Sequence, residues 1–158
     1  MRRNWACSSF ALIFILTSAV PAVAQGEIAK HIVGTWRLVD IRNDKGEQIR
    51  GPHPKGLIYY DASGNMAAQI MPDWERPKFG LGKSTPEQAK AAIDGYSAYF
   101  GTYSVDEKAG TLTHHREGNI NPGDLGDWVR QVEFREPNRL VLKTKRTNNQ
   151  VLWERISK

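Results

Sequence analysis

The sequence predicts a mainly β protein: an antiparallel, eight-stranded closed barrel with one inserted α-helix. From Val33 onward, eight short segments rich in β-branched and aromatic residues recur along the chain. Polar clusters of Gly, Pro, Asn and Asp separate them, which is the pattern of an antiparallel sandwich or barrel. Eight is also the strand number that closes a small barrel with interior room for one ligand.

Val33 to Arg42 is the first strand, ended by the polar turn Asn43-Asp44-Lys45-Gly46. After the loop Gly51-Pro52-His53-Pro54, Leu57 to Tyr60 forms the second, and Asp61-Ala62-Ser63-Gly64-Asn65 turns it into the third, Met66 to Met71. The series continues with Tyr99 to Val105, Thr111 to Glu117, Asp127 to Phe134, Arg139 to Lys145 and Val151 to Ile156. One helix interrupts it after the third strand. Thr85 is a good N-cap, Pro86 suits the first helical position and Gln88 completes a capping box. Ala89, Ala92, Ile93 and Tyr96 then make an apolar stripe at helical spacing, so the helix is expected to lie across one end of the barrel. The loop of residues 72–84 carries Trp74 and Phe79. These aromatics suit either a lid over the open end or a satellite core beneath the helix.

The first residues read as an export signal. Arg2 and Arg3 precede an apolar run from Phe10 to Val20, and Ala22-Val23-Ala24 supplies small residues for cleavage before Gln25. The run is shorter than the ~20 residues of a spanning helix. The expected mature protein is therefore a single domain of residues 25–158, periplasmic or secreted, with no membrane span. Losing Arg2 and Arg3 takes the 22 basic residues to 20 against 17 acids, a net +3. That falls short of the basic face nucleic-acid binding requires. Cys7, the single cysteine, departs with the signal, so the fold is held by its core and not by disulfides. An outer-membrane barrel is excluded because its strands need ~9–11 residues with an apolar outer face. Here the strands are shorter and their outer face carries Arg37, Lys143 and Lys145.

Strand alternation places side chains on faces. Trp128, Arg130, Val132 and Phe134 share one face of the sixth strand, Leu112, His114 and Arg116 one face of the fifth, and Gly101, Tyr103 and Val105 one face of the fourth. If these faces point inward, Arg130 needs a partner, because a buried charge is costly unless paired. Asp40, Glu117 or a ligand carboxylate would serve. The candidate ligand-binding residues are Arg130, His114 and Tyr103, with Tyr60, Gln69 and Trp128 as further lining. His114 and His115 are adjacent on a strand and point to opposite faces, while His31 and His53 lie in separate segments. No metal or other cofactor is therefore expected. Ser63, Ser97 and Ser104 sit in ordinary contexts with no Gly-x-Ser-x-Gly, so no serine nucleophile is expected. Asn119, Asn121, Pro122, Gly123 and Asp124 read as a turn.

Gly34-Thr35-Trp36 at the first strand and Arg155 in the last resemble the paired signature of lipocalins and their relatives. The ordered set Gly56-Leu57-Ile58-Tyr59-Tyr60, Gly64 to Met71, Tyr96 to Tyr103, Thr113-His114-His115 and Leu152-Trp153-Glu154-Arg155 is similar to the bacterial and fungal lipocalin-like domain family, part of the calycin-type barrels. The resemblance implies a lipocalin-like barrel in which Gly34, Trp36 and Arg155 are structural. A planar guanidinium can stack on an indole and donate to backbone carbonyls at the closed end. Some fungal biosynthetic proteins of lipocalin-type fold act on polyketide or terpenoid intermediates, so the resemblance carries an enzyme reading too. Three functions follow. The barrel binds a small hydrophobic or amphipathic ligand; or it acts on one with His114 as acid/base; or it is an interaction module with a filled interior. A cavity of ~300–1,000 Å³ separates the first two from the third.

Overall fold

The alternating pattern is realised in eight strands: β1 (Gly34–Arg42), β2 (Lys55–Tyr60), β3 (Asn65–Met71), β4 (Ser97–Asp106), β5 (Thr111–Asn119), β6 (Gly126–Arg135), β7 (Arg139–Thr144) and β8 (Gln150–Ser157). In this computed structural model, which describes residues 26–135 and 138–157, each strand pairs antiparallel with the next and β8 returns to β1, closing the barrel. The predicted strands are all present, with bounds moved by a residue or two. The expected export signal, residues 1–24, lies outside the described residues.

The inner wall follows the period-2 rule. In β3, Met66, Ala68 and Ile70 are buried while Ala67 and Gln69 are exposed. In β5, Leu112, His114 and Arg116 are buried, and in β6 the inward set is Trp128, Arg130, Val132 and Phe134. A register shift between Leu38 and Asp40 against β8 resets the phase of β1, so that Trp36, Leu38 and then Ile41 point inward.

One end of the barrel is packed solid. Trp36, Tyr60, Met66, Leu112, Leu140 and Trp153 are each 2% exposed or less. Arg155 closes this end as the resemblance implied. Its guanidinium carbon lies 4.0 Å over the Trp36 ring, Nη1 donates to the Val33 carbonyl at 2.7 Å and Nη2 donates to the His31 carbonyl.

A short helix absent from the sequence reading, α1 (Glu27–Ile32), completes the plug. Ile32 is fully buried, and its carbonyl accepts from Trp36 Nε1 at 2.9 Å. The Glu107 carboxylate accepts from the Ile28 and Ala29 amides at 3.1 and 2.9 Å, satisfying donors that a helix start leaves unpaired. Six residues give no readable periodicity, and tertiary contacts of this kind hold such a helix.

The predicted helix, α2 (Pro86–Ile93), forms with its complete capping box. The expectation that it lies across an end is corrected. It sits in the β3–β4 connection beside the open end, none of its residues is buried, and Ile93 is 49% exposed. Its stripe is too small and too short to displace water from a barrel mouth. It is held instead by Arg76, which donates to the Ala92 carbonyl at 2.9 Å and stacks over Tyr96 at 5.3 Å. Among the described residues no helix is long and apolar enough to cross a membrane.

Candidate functional site

The open half of the barrel is hollow. A cavity of about 320 Å³ lies there, with Ile41, Ile70 and Val151 as apolar wall and Tyr99 and Trp128 as aromatic wall. Larger depressions, of about 490 and 530 Å³, run along the outer wall. Mostly outward side chains line them, and they open to solvent.

Strand pairing brings two arginines to the inner cavity. Leu112 faces Arg130 and His114 faces Trp128 across β5–β6, so the inward rows of these strands stand side by side. Arg116 is 5% exposed and grips Asp124 through Nη1 and Nη2, which donate to its two carboxylate oxygens at 2.7 and 2.9 Å, the strong bidentate geometry. The predicted turn delivers that acid. Asn119 Nδ2 donates to the Asp124 carbonyl at 2.7 Å, and the Asp124 amide donates to the Asn121 carbonyl at 3.0 Å. The Trp128 indole collects three guanidiniums: Arg116 at 4.1 Å, Arg146 at 4.3 Å and Arg130 at 5.3 Å.

Arg130 differs from Arg116. It is only 9% exposed, yet among the described residues no carboxylate lies within 4.0 Å of it. The two acids expected as partners are elsewhere. Asp40 accepts from Arg42 Nε at 2.6 Å and Gln48 Nε2 at 3.1 Å, and Glu117 is exposed. A cation-π contact with Trp128 compensates part of the lost hydration.

Beneath the cavity, His114 is fully buried between two phenols. Its Nε2 is 2.7 Å from the Tyr60 hydroxyl and its Nδ1 is 3.2 Å from the Tyr99 hydroxyl. Burial, then the charges of Arg130 and Arg116, holds the imidazole well below its ordinary pKa of 6.5. It is therefore neutral, with one N–H and one lone pair, so one tyrosine donates to it and the other accepts. Burial pushes the Tyr60 hydroxyl well above its usual pKa of 10.0, which keeps its proton in place.

This environment makes a stability prediction. A histidine whose folded pKa is depressed binds its proton in the unfolded chain first, so stability is full above about pH 6.5 and falls as pH drops below it. His114 should contribute a slope of up to about 1.4 kcal/mol per pH unit as the pH falls below about 6.5. Urea unfolding at a series of pH values checks this. His114→Gln should flatten that slope, and an unchanged slope would mean the imidazole is protonated in the fold.

The candidate residues therefore separate into three groups. Arg130 and Trp128 line the cavity. Tyr60, His114 and Tyr103 point inward but lie outside its lining. The Tyr103 hydroxyl donates to the Asp61 carbonyl at 2.7 Å, and its ring meets Tyr60 edge-on at 5.0 Å, which makes it part of the packing toward the closed end. Gln69 is a correction. It is exposed on the outer wall, because Met66, Ala68 and Ile70 take the inner face of β3 and period 2 sends Gln69 out.

Sequence reasoning missed Arg50, Tyr99, Asp124 and the Arg116 pairing. Alternation had put Arg116 on the inward face, but nothing local fixed where a turn carboxylate would land. Trp74 and Phe79 are 44% and 42% exposed and are absent from the cavity lining. Trp74 packs against Gly95, where an added Cβ would stand 2.2 Å from its ring.

On the outer wall, Ser104 Oγ lies 2.8 Å from His115 Nε2, and His115 Nδ1 lies 2.7 Å from Asp127. This order of serine, histidine and acid was not expected. It sits on the exposed outer face of the closed barrel, where the strand N–H groups belong to the ladders and are not preorganised for an oxyanion. It acts as a cross-strand polar ladder. Among the described residues no group of three or more His, Cys, Asp or Glu is placed to hold a metal ion.

No curated protein matches the chain. Solved structures similar to it include a lipocalin-like protein from Bacteroides uniformis, with 15% identity and a TM-score of 0.49 over 80% of this chain and 99% of that one. An uncharacterized protein from Bacteroides eggerthii has 12% identity and a TM-score of 0.48 over 78% and 98%. A redesigned β-barrel has 11% identity and a TM-score of 0.48 over 85% and 99%. The sequence profile described as the lipocalin-like domain matches residues 33–157, a span that takes in all eight strands and both ends of the Trp36–Arg155 closure. The chain belongs to the lipocalin-like domain family.

Proposed function

We propose that the barrel binds one small amphipathic molecule in its hollow half, with an anionic end on Arg130 and an apolar body against Trp128, Ile41, Ile70 and Val151. One observation carries this reading: Arg130 is buried on the cavity wall with no carboxylate partner among the described residues. Such a charge is costly to the fold unless something offsets it. A ligand carboxylate would supply charge-assisted hydrogen bonds in a site shielded from water. The cavity, at about 320 Å³, falls at the small end of ligand pockets, which run from ~300 to 1,000 Å³. An interaction module with a filled interior does not account for a hollow half beside a solidly packed one.

Native mass spectrometry of the protein isolated from its natural host tests the proposal. A non-covalent adduct is expected, released on denaturation as a small acid. A bare protein that also fails to bind any carboxylate in calorimetric titration would overturn it.

A second reading, catalysis, rests on Tyr99, whose ring lines the cavity and whose hydroxyl meets His114. That pair can pass a proton to or from a bound molecule. Under this reading Tyr99→Phe abolishes turnover of the isolated ligand while leaving its affinity within about threefold.

The same proposal places the mature protein outside the cytoplasm, cleaved before Gln25, on the strength of the Arg2-Arg3, Phe10-to-Val20 and Ala22-Val23-Ala24 pattern. Intact-mass measurement of protein from the host's periplasm or medium checks this. A chain retaining Arg2 and Arg3 would contradict it.

A further inference from the structure

The cavity holds more positive charge than one carboxylate balances. Three guanidiniums line it, those of Arg50, Arg116 and Arg130. The acid in the same lining is Asp124, and Arg116 occupies both of its oxygens. Among the described residues, neither Arg50 nor Arg130 has a carboxylate within 4.0 Å. The other polar lining groups are neutral amides and hydroxyls, and Thr144 and Thr147 already satisfy one another.

The two free guanidiniums stand at different depths. Arg130 lies on β6 within the barrel and is 9% exposed. Arg50 lies in the β1–β2 connection, at the open end, and is half-buried. Burial lowers its pKa from the usual value, as expected of a cation desolvated with no carboxylate within salt-bridge distance. The apolar side chains of Ile41, Ile70 and Val151 and the Trp128 ring share the same lining. A cavity of about 320 Å³ has room for one small molecule rather than two.

We propose that the ligand is a small dianion: one carboxylate on Arg130 inside the barrel, an apolar spacer along the wall, and a second acidic group on Arg50 at the mouth. This rests on the binding reading above and adds a second anchor to it. A diacid neutralises both free cations at once, whereas a monoacid leaves one of them desolvated and unpaired. The bidentate Arg116–Asp124 pair, rigid and self-neutralised, then shapes the site without adding to its charge.

Calorimetric titration at low ionic strength, where screening is weak, tests this. The probes are terephthalate and the straight-chain dicarboxylates from succinate to sebacate, each compared with its own monomethyl ester. At least one diacid should bind about tenfold tighter than its monoester, the gain expected of one charge-assisted contact at a half-buried site. Arg50→Gln should erase that advantage, so that in this variant each diacid binds no tighter than its own monoester, with an unchanged melting temperature showing that the fold is intact. Equal binding of every diacid and its monoester overturns the dianion, as does an advantage that survives Arg50→Gln. If the monoesters still bind and weaken in Arg130→Met, the single-anchor reading stands without it. Failure of every acid to bind overturns both.

Discussion

Trp36→Ala lowers the free energy of unfolding by about 3–5 kcal/mol, measured by urea denaturation. The indole is fully buried, so its removal leaves a cavity at the closed end in addition to the lost transfer energy. It also supports two other groups. Arg155 loses the ring it stacks on at 4.0 Å, and the Ile32 carbonyl loses the Nε1 donor at 2.9 Å that ties α1 down. Trp36→Phe keeps most of the bulk and loses the hydrogen bond, so its cost should be smaller, about 1–2 kcal/mol. If Trp36→Ala cost less than about 1 kcal/mol, the closed end would not be the stabilising plug described.

Gly101→Ala has a comparable effect for a different reason. An added Cβ would stand 2.0 Å from the His115 carbonyl oxygen and 3.0 Å from the Glu117 amide nitrogen, both backbone atoms that cannot swing aside. Gly101 lies at the register shift where β4 meets β5, opposite Arg116. Accommodating the methyl group requires the two strands to part. The expected cost is about 3 kcal/mol or more, in the range reserved for specific structural conflict. Because Tyr99 and Arg116 are carried by the same strands, ligand affinity should fall with it. Gly46→Ala is the control: φ there is +82° with nothing within 4 Å of the added Cβ, so the cost is backbone strain alone, about 1 kcal/mol. Equal, small costs at both positions would mean that β4 and β5 approach less closely than described.

The barrel was legible because closure depends on features a sequence displays locally. Turn residues bracket each strand, alternation assigns the faces, and Gly34, Trp36 and Arg155 mark where the ends meet. The inward setting of Arg130, His114 and Trp128 follows from alternation alone, since each shares a face with residues that must be buried.

Gln69 was misplaced because β3 reads as apolar on both faces: Ala67 and Gln69 alternate with Met66, Ala68 and Ile70. The alanine masks the phase. The role of Asp124 could not be read at all, since the direction of a turn side chain is set by the loop's own hydrogen bonds rather than by strand period. The same holds for Arg50, which reaches the cavity from a connection. Tyr60 and Tyr103 were correctly inward but assigned to a ligand, because sequence does not disclose that His114 and the Asp61 carbonyl already occupy their hydroxyls.

The central claim is that Arg130 serves a ligand rather than the fold, and one paired measurement on Arg130→Met tests it most directly. The affinity for the tightest-binding carboxylate is measured by calorimetry, and the melting temperature of the unliganded protein by scanning calorimetry. Affinity should fall by about 1.5–3 kcal/mol, the worth of a hydrogen bond to a charged group, or roughly ten- to a hundredfold and more. The unliganded protein should melt at the same temperature or higher, because a shorter, neutral methionine replaces a buried charge that has no carboxylate partner among the described residues. A fall in melting temperature of several degrees with affinity unchanged would contradict the account and make Arg130 a structural residue.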